Sequence, residues 1–168
     1  MVAPVVYQKQ EQRQVYFPGA GEQWYQFEID MLTGGFASDK ITVFKGGSES
    51  GIINRLPSAP PTFLRSGYGL LANYPENRSA KLSNEFRVLA ALKNGKAALQ
   101  IMGIKDYHLE SDIAICVSEG CFYHIVVEKV QDNIFEMRWT FKGPDEVRGR
   151  LEIKEVLILE EARKWKSA

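Results

Sequence analysis

The sequence has no excess of either charge. Its 21 lysine and arginine residues balance its 21 aspartate and glutamate residues, so the formal net charge is zero. Domains that bind nucleic acids or anionic membranes through long-range electrostatics carry an excess of basic residues. The balanced composition therefore predicts no nucleic-acid partner and no attraction to an anionic membrane.

The chain also lacks long apolar runs. No run approaches the roughly 20 residues that a helix needs to cross a bilayer, so we expect no membrane span. Met1–Tyr7 is too short in apolar length, and lacks the basic flank, for a secretory signal. We therefore expect an intracellular protein if Met1 is the native start. The alternative, if the chain is a fragment of a longer precursor, is a secretory or lysosomal location.

Cysteine and histidine are scarce. Cys116 and Cys121 could close a small disulfide loop in an oxidising compartment, or remain two ordinary thiols in a reducing one. The only histidines are His108 and His124, and no metal-binding pattern of cysteine and histidine surrounds them. The sequence therefore predicts no metal site and no cofactor.

Catalytic motifs are absent as well. There is no Gly-x-Ser-x-Gly elbow, and the glycine-rich segment Lys45–Gly51 lacks the Gly-Lys-Ser/Thr ending of a phosphate-binding loop. We interpret it as a hairpin or surface loop. Glycoside hydrolysis needs two carboxylates roughly 5 to 10 Å apart. The obvious pair, Asp39 and Glu49, has no support beyond its position, so the sequence predicts no catalytic residue.

What the sequence does contain is a series of short strand patterns. Val15–Phe17 is a β-prone run that ends at a Pro-Gly turn, and Tyr25, Phe27, Ile29 and Met31 alternate with polar residues, which predicts a half-buried strand. Phe86–Leu92 alternates too, although Ala-Ala-Leu within it would also suit a short helix. Asn94-Gly95 then predicts a hairpin turn leading into Leu99–Ile101.

The last third is richest in strand patterns. Phe135, Met137, Trp139 and Phe141 alternate with polar residues, which predicts a strand with one apolar face. Phe122–Val127 and Leu151–Leu159 are denser apolar runs, typical of central strands covered on both faces. Short strands separated by turns predict an all-β fold of two packed antiparallel sandwich-like units with little helix.

The chain divides by composition into five segments. We expect a polar leader at 1–14, a proximal β module at 15–71, a linker at 72–80, a distal β module at 81–160 and a tail at 161–168. Within the linker, Asn77-Arg78-Ser79 matches the N-glycosylation pattern, which is common by chance.

Spaced motifs in the proximal module resemble a known family. Tyr16-Phe17-Pro18, Trp24-Tyr25, Gly34-Gly35 and the segment Pro61–Gly67 occur in that order. They resemble the segment that follows the catalytic barrel in glycoside hydrolase family 31, the α-glucosidase and sucrase-isomaltase family. That resemblance implies that the family's catalytic carboxylates, which lie in the barrel before this segment, have no counterpart here.

The distal module resembles the distal sandwich of the same family more loosely. The matching segments are Asn84–Phe86 with Ala90–Leu92, Ile104–Tyr107 and Cys116–Cys121. Gln26 departs from the family pattern, because an aspartate commonly follows the Trp-Tyr pair. Ser58-Ala59 replaces the usual aspartate-containing approach to the proline.

Two functional hypotheses follow from the sequence. The first is a non-catalytic structural subunit of a larger assembly, which binds one or more proteins, or a large complex, through its surface. The second is a detached or processed part of a family 31 α-glucosidase, or a sugar-binding module derived from one. Four residues could stack on a sugar or pack between domains: Trp24, Tyr25, Arg65 and Tyr68. Core packing is the simpler role for large aromatic residues in sandwiches.

Overall fold

The computed structural model describes residues 1, 11–28, 41–47, 51–54, 61–73, 85–103, 110–160 and 163–166. Several sequence predictions lie outside these residues: those for Gly34-Gly35, Asp39, Glu49, Asn77 and His108. The loosely matching segment Ile104–Tyr107 and the departure from the family pattern at Ser58-Ala59 lie outside them as well.

The described chain is built almost entirely of strands, as predicted. The strands are β1 Gln12–Val15, β2 Gln23–Phe27, β3 Thr42–Lys45, β4 Gly51–Asn54, β5 Thr62–Arg65, β6 Gly69–Asn73, β7 Glu85–Ala91, β8 Lys96–Met102, β9 Phe122–Gln131, β10 Ile134–Lys142, β11 Glu152–Glu160 and β12 Arg163–Lys166. One α-helix, α1 Glu110–Glu119, and a 3-10 turn at Asp145–Val147 complete the described elements. The prediction of an all-β fold is confirmed.

A four-stranded sheet of order β12-β11-β7-β6 contributes side chains to two hydrophobic clusters. In one cluster, Leu89 and Leu157 pack with Tyr25 of the sheet β3-β2-β5. In the other, Val88 packs with Ile125 of the sheet β10-β9-β8. Leu89 alone, fully removed from water, contributes about 1.5 to 3 kcal/mol by burial. This sheet is therefore covered on both faces.

One strand pair departs from the predicted antiparallel pattern. β7 and β11 run parallel, with Val88 beside Val156 and Ala90 beside Ile158. Parallel neighbours are typically buried on both faces, and the two hydrophobic clusters show that β7 and β11 are. The predicted central position of β11, and that of β9 between β8 and β10, are both found.

Strands and strand pairing cross several of the predicted segment boundaries. β6, which ends at Asn73, belongs to the same sheet as β7 and β11, so the predicted linker begins inside a strand. β1 begins at Gln12 within the predicted leader, and β12 lies in the predicted tail. Sheet pairing between distant segments has no signal in local composition, and the division into five segments stays a prediction.

The strand around Tyr25 is buried more completely than the alternating pattern predicted. Trp24 packs with Phe17 and Phe63 on one face, whereas Tyr25 packs towards Leu89 on the other. β2 is the middle strand of its sheet, and both of its faces are covered by other side chains. Gln26 is therefore buried as well, although its polarity predicted a solvated face.

The Asn94-Gly95 turn forms as predicted, but the hairpin is only one residue pair long. Both residues have positive φ, 52° and 76°, as a type I′ turn requires. Lys93 and Lys96 exchange backbone hydrogen bonds across it. Beyond that pair, Gly67 and Tyr68 insert between β7 and β8, so the two strands diverge into different sheets.

Helix α1 was not predicted. Its residues were assigned to a loosely resembling segment around the cysteines, and their apolar residues do not recur at a clear helical spacing. The helix ends at Gly120, whose N–H donates to the carbonyl of Cys116 at 2.9 Å. This is the closing bond of a helix C-terminus.

Candidate functional site

A buried carboxylate lies at the junction between the proximal and distal strands. Glu22 is only 7% exposed, and its Oε1 accepts hydrogen bonds from Arg65 Nη2 at 3.0 Å and Lys93 Nζ at 2.6 Å. Its Oε2 accepts from Ser66 Oγ at 3.0 Å. We call these four residues, Glu22, Arg65, Ser66 and Lys93, the Glu22 junction.

Local backbone hydrogen bonds hold Glu22 in place. The turn after Pro18 closes with the N–H of Glu22 donating to the carbonyl of Gly19, and the N–H of Gly46 donates to the carbonyl of Glu22. Gly46 belongs to the predicted glycine-rich loop. The described part of that loop is thus a turn that packs against the start of β2.

The positive groups around Glu22 change its titration. Hydrogen bonds from Arg65 first and Lys93 second lower the pKa of the Glu22 carboxyl from 4.5 to about 2, against the opposing effect of burial. The same contact raises the pKa of Arg65. A carboxylate held ionised by two cations suits a structural ion pair and is a poor general acid or base at neutral pH.

The residues after Arg65 join three strands through their backbone. The N–H of Gly67 donates to the carbonyl of Ala91 at 2.7 Å, and the carbonyl of Gly67 accepts from the N–H of Ala98 at 3.0 Å. Gly67 has a φ of 86°, a conformation that favours glycine. Ser66 and Gln23 add a reciprocal pair of bonds to the start of β2.

The predicted stacking residues differ in exposure. Trp24 is 8% exposed and donates its indole N–H to the carbonyl of Pro18 at 3.0 Å. Tyr25 is buried and donates its hydroxyl to Gln23 Oε1 at 2.6 Å. Their burial leaves no ring face open to a sugar and favours the packing alternative.

Tyr68 is the one predicted stacking residue with an exposed ring. It is 53% exposed, and the guanidinium carbon of Arg65 lies 5.7 Å from its ring centroid. That distance is within the range of a cation–π contact. Arg65 thus links the exposed ring to the buried carboxylate of Glu22.

A small pocket opens beside the junction. It measures about 220 Å³ and is lined by Gly21, Gln23, Ser66, Leu92, Lys93, Asn94 and Gly95. Lys93 is the one charged side chain among these lining residues, and its ammonium is already bonded to Glu22. The pocket therefore offers neutral hydrogen-bonding groups more than charge.

The two cysteines are joined in a disulfide at the end of α1. Cys116 and Cys121 pack with Val147 of the 3-10 turn. Because Cys121 is followed by β9, the covalent link holds the helix end against that strand and the turn.

A second polar contact was not predicted. The Tyr123 hydroxyl, buried in β9, donates to the carbonyl of Gly149 and accepts from Arg148 Nε at 3.1 Å. The guanidinium also lies 5.3 Å from the ring centroid of Phe141. Contact with Tyr123 raises the pKa of Arg148. This contact fastens the segment after β10 to the sheet.

The described residues form no further site of a recognisable kind. Among them, no group of three or more His, Cys, Asp or Glu side chains could hold a metal ion. His124, in β9, is partly buried. In the part of the chain that the structure describes, no helix is long and apolar enough to cross a membrane.

Sequence reasoning missed Glu22 and Lys93 because no local pattern connects them. They lie in a turn before β2 and in the turn after β7, and only the tertiary fold brings their charges together. Arg65 was singled out through the family motif. The preceding Pro-Gly pair indicated a turn but not a buried acid.

Comparison with known proteins supports the resemblance. Residues 1–68 match the profile of the glycosyl hydrolase family 31 C-terminal domain. This match covers the segment that carries the Trp-Tyr and Arg-Ser-Gly motifs. No curated protein matches the chain by sequence.

Solved structures share the fold over nearly the whole chain. A family 31 dextranase from Flavobacterium johnsoniae, complexed with isomaltotriose, has a TM-score of 0.57 at 16% identity and covers 97% of this chain. A glucosidase II alpha subunit has a TM-score of 0.59 at 12% identity over 99%. An ER glucosidase II heterodimeric complex, of the catalytic subunit and the binding domain of the regulatory subunit, has a TM-score of 0.51 at 14% identity over 99%.

The likeness covers only a small part of those proteins. This chain spans 18% of the dextranase chain and 19% of each glucosidase II chain. At these identities the likeness concerns the fold. The part of the family that the chain resembles is the C-terminal domain, which lacks the catalytic barrel.

Proposed function

We propose that this chain is a non-catalytic β-sandwich module that acts as a structural and interaction subunit of a larger assembly. The observation that carries the proposal is the role of the family-like residues. Trp24, Tyr25, Arg65 and Gly67 make internal packing contacts and hydrogen bonds. Because these motif residues hold strands of the same chain together, their contacts support a scaffold role.

The charges of the Glu22 junction also support a non-catalytic role. Glu22 is ionised and bonded to three donors within the chain. Glycoside hydrolysis uses one carboxylic acid with a raised pKa and a second carboxylate within roughly 5 to 10 Å. The lowered pKa of Glu22 is the opposite of what the acid requires.

The surface supplies groups through which such a module could bind protein. Large apolar side chains that are about half exposed occur in both the proximal and distal strands: Tyr16, Val43, Tyr68, Met102, Val130, Ile134 and Trp139. Aromatic side chains are enriched in protein interfaces. Such residues favour contact with another protein surface over a purely solvated role.

The alternative function is that of a C-terminal part of a family 31 α-glucosidase, or of a sugar-binding module derived from one. The profile match at residues 1–68 and the small share of each enzyme that is covered favour it. In a sugar-binding module, the exposed ring of Tyr68 would be the stacking surface.

Thermal melting in the presence of glucose or maltose distinguishes the proposed structural role from the sugar-binding alternative. A ligand that binds only the folded state raises the melting temperature, and the rise grows with the ligand concentration relative to its dissociation constant. The proposal predicts no shift for the wild type or for Tyr68→Ala. A concentration-dependent rise that Tyr68→Ala abolishes would support the sugar-binding alternative and contradict the proposal.

Purification from the native source tests the subunit role itself. The proposal predicts a defined protein partner in stable, stoichiometric proportion. Recovery of the chain as part of one polypeptide with an upstream catalytic barrel would support the enzyme-fragment alternative. Recovery as a lone chain, without any partner, would contradict the subunit proposal.

A further inference from the structure

β10 is an edge strand with a long exposed backbone. It lies at the outside of the sheet β10-β9-β8, and among the strands that the structure describes it pairs only with β9. Its range, Ile134–Lys142, makes it one of the longer described strands. The outer edge of such a strand carries N–H and C=O groups that can pair with another strand.

The two faces of β10 have different chemistry. Met137 and Trp139 lie opposite the buried residues Val127 and Ile125 of β9, so they share the inner, apolar face with Phe135. Trp139 nevertheless remains 46% exposed. Glu136 and Arg138 lie on the outer face, where their side chains are 50% and 59% exposed. From Phe135 to Lys142, apolar and polar residues therefore alternate along the edge.

We infer that two copies of this chain associate through antiparallel pairing of their β10 strands about a two-fold axis at Met137. In this register Glu136 faces Arg138 of the second copy, and the symmetry repeats that ion pair. Phe135 faces Trp139 of the second copy, and Met137 faces its own counterpart. The sequence of this strand is self-complementary in both charge and apolar character.

Neighbouring registers are less favourable. A two-fold axis at Glu136 would place two glutamates opposite each other, and an axis at Arg138 would place two arginines opposite each other, which is destabilising. An axis at Trp139 would pair Glu136 with Lys142 of the second copy but would leave Arg138 opposite Thr140. The register at Met137 is the one that satisfies Glu136 and Arg138 together.

The ion pair within one chain is compatible with this pairing. Arg138 Nη2 donates to Glu128 Oε2 at 2.6 Å, and Arg138 Nε lies 3.9 Å from Glu136 Oε2 of the same chain, but a guanidinium carries five N–H donors. Arg138 can therefore keep its bond to Glu128 and accept Glu136 of the second copy as another partner. The paired strands would join two three-stranded sheets into one of six strands.

This inference rests on the proposed interaction role and names a second copy of the chain as one partner. A single edge strand buries little surface, so we expect a weak, concentration-dependent dimer. Sedimentation velocity over a wide concentration range should show association from the 19.0 kDa monomer towards twice that mass.

Two charge reversals test the register. Glu136→Arg places arginine opposite arginine in the homodimer, and Arg138→Glu places glutamate opposite glutamate. Each variant alone should dimerise at least about tenfold more weakly than the wild type. An equimolar mixture of the two variants should restore dimerisation, because every facing pair is then an arginine with a glutamate.

The control is Arg150→Glu, which reverses an exposed charge outside β10 and should leave dimerisation unchanged. If Arg138→Glu proves unstable because it adds a carboxylate beside Glu128, Arg138→Gln should show a smaller loss of the same kind.

A wild type that stays monomeric throughout would overturn the inference without touching the native-source test of the subunit role. A dimer indifferent to both reversals, or a mixture that stays monomeric, would overturn it too.

Discussion

Two regions of the molecule use charge in opposite ways. At the Glu22 junction, a carboxylate is buried and bonded to Arg65, Ser66 and Lys93 of its own chain. On β10, Glu136 and Arg138 are half exposed on an outer edge. Buried, fully satisfied charges fix one internal arrangement, whereas exposed ones remain available to another molecule. The family-like motif belongs to the Glu22 junction, and our inferred contact lies on β10.

The largest expected effect on stability comes from the loss of buried apolar surface. Leu89→Ala removes a fully buried side chain from the cluster shared by β7, β11 and β2. We expect it to lower the free energy of unfolding by about 2 to 5 kcal/mol, measured by urea denaturation. Because the cluster joins proximal and distal strands, the variant should still unfold in one transition. Two separated transitions would show that the modules are independent.

The disulfide sharpens the comparison, because it strengthens the distal region by a covalent bond beside the end of β10, where Phe141 packs against the cysteines. Cys116 and Cys121 enclose a short loop, and loop-closure entropy predicts that Cys116→Ser with Cys121→Ser lowers the unfolding free energy by about 2 kcal/mol. Dithiothreitol should lower the melting temperature of the wild type and leave the double variant unchanged. A reductant effect equal in both proteins would argue against a stabilising disulfide.

The buried charge should be visible in the pH dependence of stability. Because the folded state lowers the pKa of Glu22 to about 2 from 4.5, its contribution is complete above the unfolded value and is lost as the pH falls towards 2. Glu22→Gln should therefore be less stable than the wild type at neutral pH, by less than Leu89→Ala. Chemical denaturation at several pH values should show that difference closing through this window.

The matched control for Glu22 is an exposed carboxylate. Glu136→Gln changes a half-exposed side chain on β10 and should show no comparable acid-dependent loss, because surface pairs contribute little. If stability depended on pH in the same way in Glu136→Gln and Glu22→Gln, the distinction between a buried structural charge and an exposed one would be contradicted.

The smallest effect on stability is expected at the exposed tryptophan. Trp139→Ala removes a ring that is 46% exposed on the edge strand, so we expect a change within about 1 kcal/mol of the wild-type unfolding free energy. Denaturation at low protein concentration isolates this monomer property from any self-association. A loss as large as that of Leu89→Ala would mean that Trp139 is a core residue.

Local patterns predicted the individual strands better than their partners. The alternation of Phe135 to Phe141 and the dense run Phe122–Val127 identified β10 and β9, since strand faces repeat every two residues. The same reasoning could not show that β7 pairs in parallel with β11. That pairing depends on which distant strands share a core, and the alternation of one segment carries no such information.

The candidate site was predictable only in part. Arg65 and the Trp24-Tyr25 pair were identified through the family motif, yet their partners were not. Glu22 and Lys93 meet through the fold alone. Helix α1 was missed for a related reason, because its sequence lacks a clear apolar stripe and its packing depends on the 3-10 turn and the disulfide.

The most direct test of the scaffold account is native-state hydrogen exchange at the Gly67 and Ala98 amides. The Gly67 N–H bonds to Ala91, and the Ala98 N–H bonds to Gly67, across the boundary between proximal and distal strands. If this segment joins the sheets into one unit, both amides should exchange only through global unfolding, with the same free energy as the amide of Leu89. Exchange of Gly67 and Ala98 at a much lower free energy, while Leu89 stays protected, would contradict the account.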